Sequence, residues 1–334
     1  MKKLAFVITL LSSLLSFTSC DNGSKEGDSI LLPTVTGAAF DLLIVGDPTI
    51  WRDPIGREIF DIFDEDTPGL PQSESLFTLS FIPESQFDRI LKPARNIIMY
   101  QVDDKMYTSG KVTFKRNRWA KIQAIVQITA PDAKELIRII NEKKQEIIDY
   151  IVFTEYERTL SYYKRYANGE AKRKVLDSLG VKIHVPDILK WTNITRDFAW
   201  ISNGSLESRQ DVVVYRTPYN SKDDFKLERI IAVRDSILKE RIDGPSEGSY
   251  MTTEVKNHYP VCREMNIDGK YCVEVRGLWR VEGDMMGGPF CSRSFYDEKN
   301  NDIVTIEVFV YAPQHKKRNK IRLMEAISAE VEFN

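Results

Sequence analysis

Short apolar runs punctuated by Gly, Pro and Asp alternate with stretches of helical period along most of the chain. Residues 40–45, FDLLIV, are a continuous apolar run ended by Gly46-Asp47-Pro48 and predict a buried strand. The period then changes: Ile55, Ile59, Ile62 and Phe63 fall on one face of a helix over 54–63. A Pro-containing loop over 67–72 leads to a strand over 76–82, ended by Pro83. A short helix over 84–92 and a strand over 96–102 follow. Two more strands are expected over 111–114 and 121–129, with Trp119 between them. Ala130-Pro131-Asp132 opens a long helix, with Pro131 in its first turn. Leu136, Ile140, Ile147, Ile151 and Leu160 mark its apolar stripe, and Tyr156, Tyr162, Tyr163 and Tyr166 continue it as a row read as core. Asn168-Gly169 breaks the helix; a second piece ends at Leu179, with Gly180 as its C-cap.

The order of features recurs in the second half. An apolar strand, Ala-Pro and an amphipathic helix occur around Pro131 and again around Pro313. Upstream, residues 77–83 followed by Phe87 echo 212–218 followed by Phe225. Trp119 lies 12 residues before Pro131 and Trp279 lies 34 before Pro313, a difference of 22. That difference is assigned to an insertion containing GDMMGGPF. The expected fold is α+β: two related units from an internal duplication, each an antiparallel or mixed sheet with helices on one face, joined by the long helix.

The N-terminus has a different pattern. Lys2 and Lys3 precede an apolar, Ser- and Thr-containing run over 4–17, shorter than the roughly 20 residues of a membrane span. Phe17-Thr18-Ser19-Cys20 closes it and resembles a bacterial lipobox, with Phe where Leu is usual. Residues 1–19 are therefore expected to be a lipoprotein signal peptide, cleaved before a lipidated Cys20. Residues 20–37 are a flexible tether, 38–180 the first unit with the long helix at its end, and 181–334 the second unit with the inserted Gly-Gly-Pro loop. The expected location is the cell envelope, anchored to the outer membrane through the lipid on Cys20.

Composition is that of a folded globular chain: 334 residues, 42% hydrophobic and 29% charged, with 47 basic against 49 acidic residues. No concentrated positive surface is implied, which excludes nucleic acid as a partner. The basic run 315–320 opens a predicted helix and reads as its solvated face. An exported chain permits disulfides, but only Cys262, Cys272 and Cys291 remain after Cys20, an odd count. If Asp268-Gly269 makes a hairpin turn, Cys272 faces Met265 and not Cys262. A Cys272–Cys291 pair between neighbouring strands stays open.

The chemistry-bearing patterns are sparse. The sequence has no phosphate-binding Gly-rich loop, no nucleophile elbow and no His-Glu-x-x-His. The three histidines are scattered, with His184 read as a strand residue, and no metal or cofactor is implied. Cys291 has no nearby His to act as its base, and carboxylate pairs such as Glu282 and Asp284 are ordinary surface features. The candidate contact residues are Met286, Gly287, Gly288 and Phe290, with Trp119 and Trp279 as walls of a groove between the units. Gly287-Gly288 is expected to take positive φ and Pro289 to fix a sharp turn.

Several stretches resemble the DUF4837 lipoproteins of Bacteroidota, a domain family of unknown function. They are Ile55-Gly56, LPQSESLF at 70–77, WAKIQ at 119–123, FAWI at 198–201, Gly277-Leu278-Trp279 and MGGPF at 286–290. The resemblance spans about residues 38–334 and implies an envelope lipoprotein; it supplies no catalytic residues. The expected role is a non-enzymatic binding or scaffold module for an envelope protein, glycan or lipid. The alternative is an envelope hydrolase or transferase acting on a cell-wall or glycan substrate.

Overall fold

The computed structural model describes residues 32–334; the expected signal peptide, Cys20 and most of the expected tether lie outside the described residues. Asp41–Gly46 (β1) lies between Thr78–Pro83 (β2) and Asn96–Val102 (β3) and runs parallel to both. Ala124–Ala130 (β5) adds in parallel to β3, and Lys111–Arg116 (β4) closes the edge in antiparallel sense. The strand order is β2-β1-β3-β5-β4. Two helices, Pro48–Arg52 (α1) and Pro54–Phe63 (α2), connect β1 to β2. The long helix Ala133–Arg165 (α3) follows β5. Its N-cap is Asp132, whose carboxylate accepts from the Glu135 amide at 2.8 Å, so Pro131 sits just ahead of the helix instead of within its first turn.

Gly169–Leu179 (α4) ends at Gly180 in the left-handed conformation, as the sequence predicts. The edge strand Val181–Lys182 (β6) pairs with Glu332–Phe333 (β15) near the C-terminus. The second large sheet has eight antiparallel strands. Trp191–Ile194 (β7), Phe198–Ser202 (β8) and Arg209–Pro218 (β9) form one side. Leu227–Arg241 (α5) then leads to Tyr250–Glu254 (β10), Val261–Ile267 (β11), Lys270–Glu282 (β12), Gly287–Asp297 (β13) and Asp302–Tyr311 (β14). The order is β10-β12-β13-β14-β9-β8-β7, with β11 beside β12. Arg318–Glu325 (α6) ends the described helices.

The architecture is mixed α and β, and the two sheets differ in kind: the first is mostly parallel, the second antiparallel. The strand, Ala-Pro, helix pattern is thus shared locally, while the sheets that carry it have different topologies. The 22-residue segment is no appended loop. It falls in the β12–β13 hairpin, whose strands lie inside the second sheet. Helices cover both faces of that sheet, so β13 and β14 are buried along nearly their whole length and lose the alternation of a half-wet strand. One core runs through both sheets: Ile44, Ile98 and Val126 of the first, Leu136, Ile147 and Tyr156 of α3, and Val212, Val304 and Phe295 of the second.

Three local expectations change. Of the tyrosine row read as core, Tyr156 and Tyr163 are buried, but Tyr162 and Tyr166 are exposed. The helix over 84–92 is only a 3-10 turn, Glu84–Gln86, followed by turns to Pro93. The basic run is not a solvated face. Lys317 is 3% exposed, its ammonium donating to Gln72 Oε1 at 2.9 Å, and the Arg318 guanidinium donates to Ser75 O at 2.8 Å. The segment 72–78 offers the Gln72 amide oxygen and the Ser75 carbonyl, and the basic side chains fold onto them.

Candidate functional site

The stretch 283–290 resolves into a tight hairpin end. Gly283 takes φ +88 and carries the reversal, where any other residue would be strained. Gly287 and Gly288 are strand residues of β13, in register with Arg280 and Trp279, so the expected positive φ at this pair is corrected. Their small size serves packing instead. A Cβ on Gly288 would run into the Val310 carbonyl oxygen, and the Trp279 indole lies 3.2 Å from that same Cβ position. Trp279 Nε1 donates to Val310 O at 3.2 Å, so the indole lies over the neighbouring strands. Phe290 is 1% exposed and Met286 packs against the same cluster, while Met285 is fully exposed.

Trp119 lies elsewhere. It packs edge-on against Phe87 at 5.4 Å on the outer face of the first sheet, in a cluster with Val45, Ile97 and Ile125. Gln123, fully buried, fixes this corner: it accepts from the Trp119 amide and donates to the carbonyls of Lys92 and Ala94 at 2.6 and 2.7 Å. The structure therefore places Trp279, Met286, Gly288 and Phe290 together and Trp119 in a separate cluster; the two tryptophans do not share a groove wall.

Phe290 leads to a feature that the apolar pattern conceals. Its ring lies 4.0 Å from the Arg234 guanidinium carbon of α5. Arg234 is fully buried and binds Glu307 through Nε and Nη2 at 2.8 and 2.7 Å. Its Nη1 donates to Asp235 and Thr253. On the opposite face of the sheet lies a second buried set. Arg276 donates to both oxygens of Glu325 at 2.7 Å and to Glu274 at 2.8 Å. Arg293 donates to Glu274 at 2.9 Å, to Glu325 O and to Ser328 Oγ. Tyr156 of α3 donates to Glu325. Burial pushes the Glu274 and Glu325 carboxyls up, but the guanidiniums of Arg276 and Arg293 outweigh it and hold both below the usual range.

Cys291 faces this set, opposite Arg276 in the β12–β13 ladder. Burial raises its thiol well above the ordinary value, so it is held protonated and is no activated nucleophile. Cys272 is buried too and pushed up to about 12 by burial. It pairs in register with Met265, as the Asp268-Gly269 turn requires, both turn residues having positive φ. Cys272 faces Phe295 and Cys291 faces Arg276, so they stand four registers apart and all three cysteines are free. His184 is 8% exposed, with Nε2 3.4 Å from Glu330. Among the described residues no group of three or more His, Cys, Asp and Glu could hold a metal ion, and no helix is long and apolar enough to cross a membrane.

An aromatic-lined groove opens at the β11 edge of the second sheet. Its volume is about 780 Å³, and it is lined by Tyr219, Phe225, Tyr271 and Tyr296, with Lys222, Lys226, Glu228 and Glu264 among its polar groups. Tyr219 lies 4.6 Å from Tyr296, and Phe225 meets Tyr271 edge-on at 5.1 Å. The positions come from four places in the chain: the end of β9, the 3-10 turn Lys222–Phe225, the start of β12 and the end of β13. Sequence reasoning did not select them. Only the aromatic residues flanking the turns were a signal, and nothing in one dimension joins them.

The chain contains a DUF4837 domain. This domain of unknown function matches residues 168–329, from the start of α4 to the end of α6 and the turn beyond it. Residues 35–164, the first sheet with α3, match a second domain of unknown function, DUF8532. The likeness read across 38–334 thus divides in two: MGGPF, FAWI and Trp279 fall in the DUF4837 domain, while LPQSESLF and WAKIQ fall in the DUF8532 match. A comparison with curated proteins finds no match.

Proposed function

We propose that the protein is a lipid-anchored, non-enzymatic binding module of the cell envelope, whose DUF4837 domain takes a glycan in the groove at the β11 edge. The observation that carries this reading is the aromatic lining: four rings around one groove, with ammonium and carboxylate groups beside them. A pyranose ring presents C–H faces that stack on aromatic rings and hydroxyls that bond charged side chains. Tyr271 is 40% exposed, which leaves much of its ring open to a ligand. The groove is formed within the fold, so little ordering would oppose binding. The anchor is supported by the lipobox-like Phe17-Thr18-Ser19-Cys20, and the polar stretch after it would serve as tether. The buried, protonated Cys291 speaks against a cysteine hydrolase at MGGPF.

The test is a titration of the folded chain with cell-wall and capsule-type oligosaccharides, followed by amide chemical shifts. Perturbations confined to the surroundings of Tyr219 and Tyr271, and abolished by Tyr271→Ala with the fold retained, support the reading. Turnover of an oligosaccharide, or shifts that ignore Tyr271→Ala, overturn it. For the anchor, growth with labelled palmitate should label the native chain and not Cys20→Ala.

A further inference from the structure

A second cavity, about 350 Å³, lies on the other side of the β11 strand from the aromatic groove, between α3, the loop at 65–68 and β12. Its walls include Ile148 and Val152 of α3, and its polar lining includes Arg276, Glu274 and Arg322. Arg322 of α6 is 3% exposed and sits among aromatic rings, its guanidinium carbon 4.3 Å from the Phe40 ring and 5.9 Å from Phe77. It makes one hydrogen bond, Nη1 to Leu76 O at 3.0 Å, and its buried Nε has none. Among the described residues it pairs with no carboxylate within ion-pair distance.

The cations beside the cavity are unequally served. Arg276 and Arg293 bind Glu274 and Glu325, while Arg322 is left to the aromatic rings and the Leu76 carbonyl. The pairs Lys144–Glu65 and Arg263–Asp149 stand at the partly exposed rim, together with the exposed Asp66, which accepts from the Ser73 hydroxyl. A buried guanidinium with an unbonded donor and no counter-charge is costly, because it has lost its water without gaining a partner. What the Arg322 guanidinium lacks is a negative partner of its own, and an apolar wall of Ile148 and Val152 is available in the same cavity.

We infer that this cavity binds a small anion, a carboxylate or phosphate group, which pairs with the Arg322 guanidinium while any apolar body lies against Ile148 and Val152. The exposed ion pairs at the rim are weak and open to admit it. The site is independent of the glycan reading, since β11 separates it from the aromatic groove.

The experiment uses the folded chain and three salts at equal ionic strength: sodium chloride, sodium phosphate and sodium butyrate. Melting temperature and amide shifts are read for the native protein, for Arg322→Gln, and for Ile148→Phe, which fills the cavity and leaves the guanidinium intact. Expected is a rise of several degrees in phosphate or butyrate over chloride at about a hundred-fold excess over the dissociation constant, lost in both variants. Phosphate alone active assigns an oxyanion of that kind; butyrate alone assigns a carboxylate with an apolar tail. General salting-in or salting-out would move native and variants alike, and that outcome overturns the inference. No rise over chloride in the native protein overturns it too. Should Arg322→Gln fail to fold, Ile148→Phe decides by the same comparison.

Discussion

The two faces of the antiparallel sheet carry charge in different ways. On the α5 face, Arg234 meets Glu307, Asp235 and Thr253, and each of its three nitrogens has an oxygen partner. Phe290 covers the guanidinium from above. On the α3 and α6 face, Arg276 and Arg293 share two carboxylates, while Arg322 has none and its Nε is left unbonded beside a cavity. The lesson is that burial of charge alone does not mark a site. A set whose donors are all met is part of the scaffold; a set with an unmet donor and adjoining space has room for a ligand.

The largest effect that tests this contrast is on the closed face. Glu307→Ala leaves Arg234 buried without its bidentate partner and should cost about 3–5 kcal/mol in urea unfolding. Arg322→Gln on the open face removes a buried cation that has no carboxylate partner and should cost less than about 1 kcal/mol in chloride, because the lost packing on Phe40 is offset by relief of that unpaired charge. Equal losses in the two variants would erase the distinction between the faces.

Next comes the hairpin that covers the closed face. Gly288→Ala forces a methyl group against the Val310 carbonyl and should cost about 1–3 kcal/mol. A neutral outcome would mean that Trp279 and β14 move apart freely. Acid unfolding probes the open face. Glu274 and Glu325 are held below the usual range, so the unfolded chain takes up protons first as pH falls. Their contribution is complete above about 4.5, the ordinary value, and fades as pH drops toward their folded values. Stability of the native chain should therefore fall more steeply from pH 5 to about pH 3 than that of Glu274→Gln; parallel curves would remove these carboxylates from the account. The smallest expected effect is at Met285, whose side chain is fully exposed: Met285→Ser should change stability by less than about 0.5 kcal/mol.

Much of the fold was legible where local signals agree. The 3.6-residue period and Asp132 located α3, Gly180 its successor's end, and Asp268-Gly269 the turn that sets Met265 against Cys272. The site was less legible, for a physical reason. In VEVR at 273–276, SRS at 292–294 and IEV at 306–308 charged residues interrupt apolar runs, and alternation of that kind does not tell a half-wet strand from one whose charges are paired inside the fold. Both faces of these strands are in fact covered by helices distant in sequence. The Gly-Gly-Pro misreading has the same origin. Glycine signals either a turn or a close approach, and only the position of Val310 O decides which.

The sequence by itself determined the helical and extended segments, the export-like N-terminal pattern, the hairpin register at Asp268-Gly269 and the absence of familiar catalytic motifs, because each depends on residues within about one or two turns of one another. Tertiary structure alone decided which charges are paired and which is left over, which glycine turns and which packs, and that Tyr219, Phe225, Tyr271 and Tyr296 line one groove. Those are properties of pairs distant in sequence: Arg276 and Glu325 are 49 residues apart and Arg234 and Glu307 are 73, and their energies exist only once the sheet brings them together in a place without water.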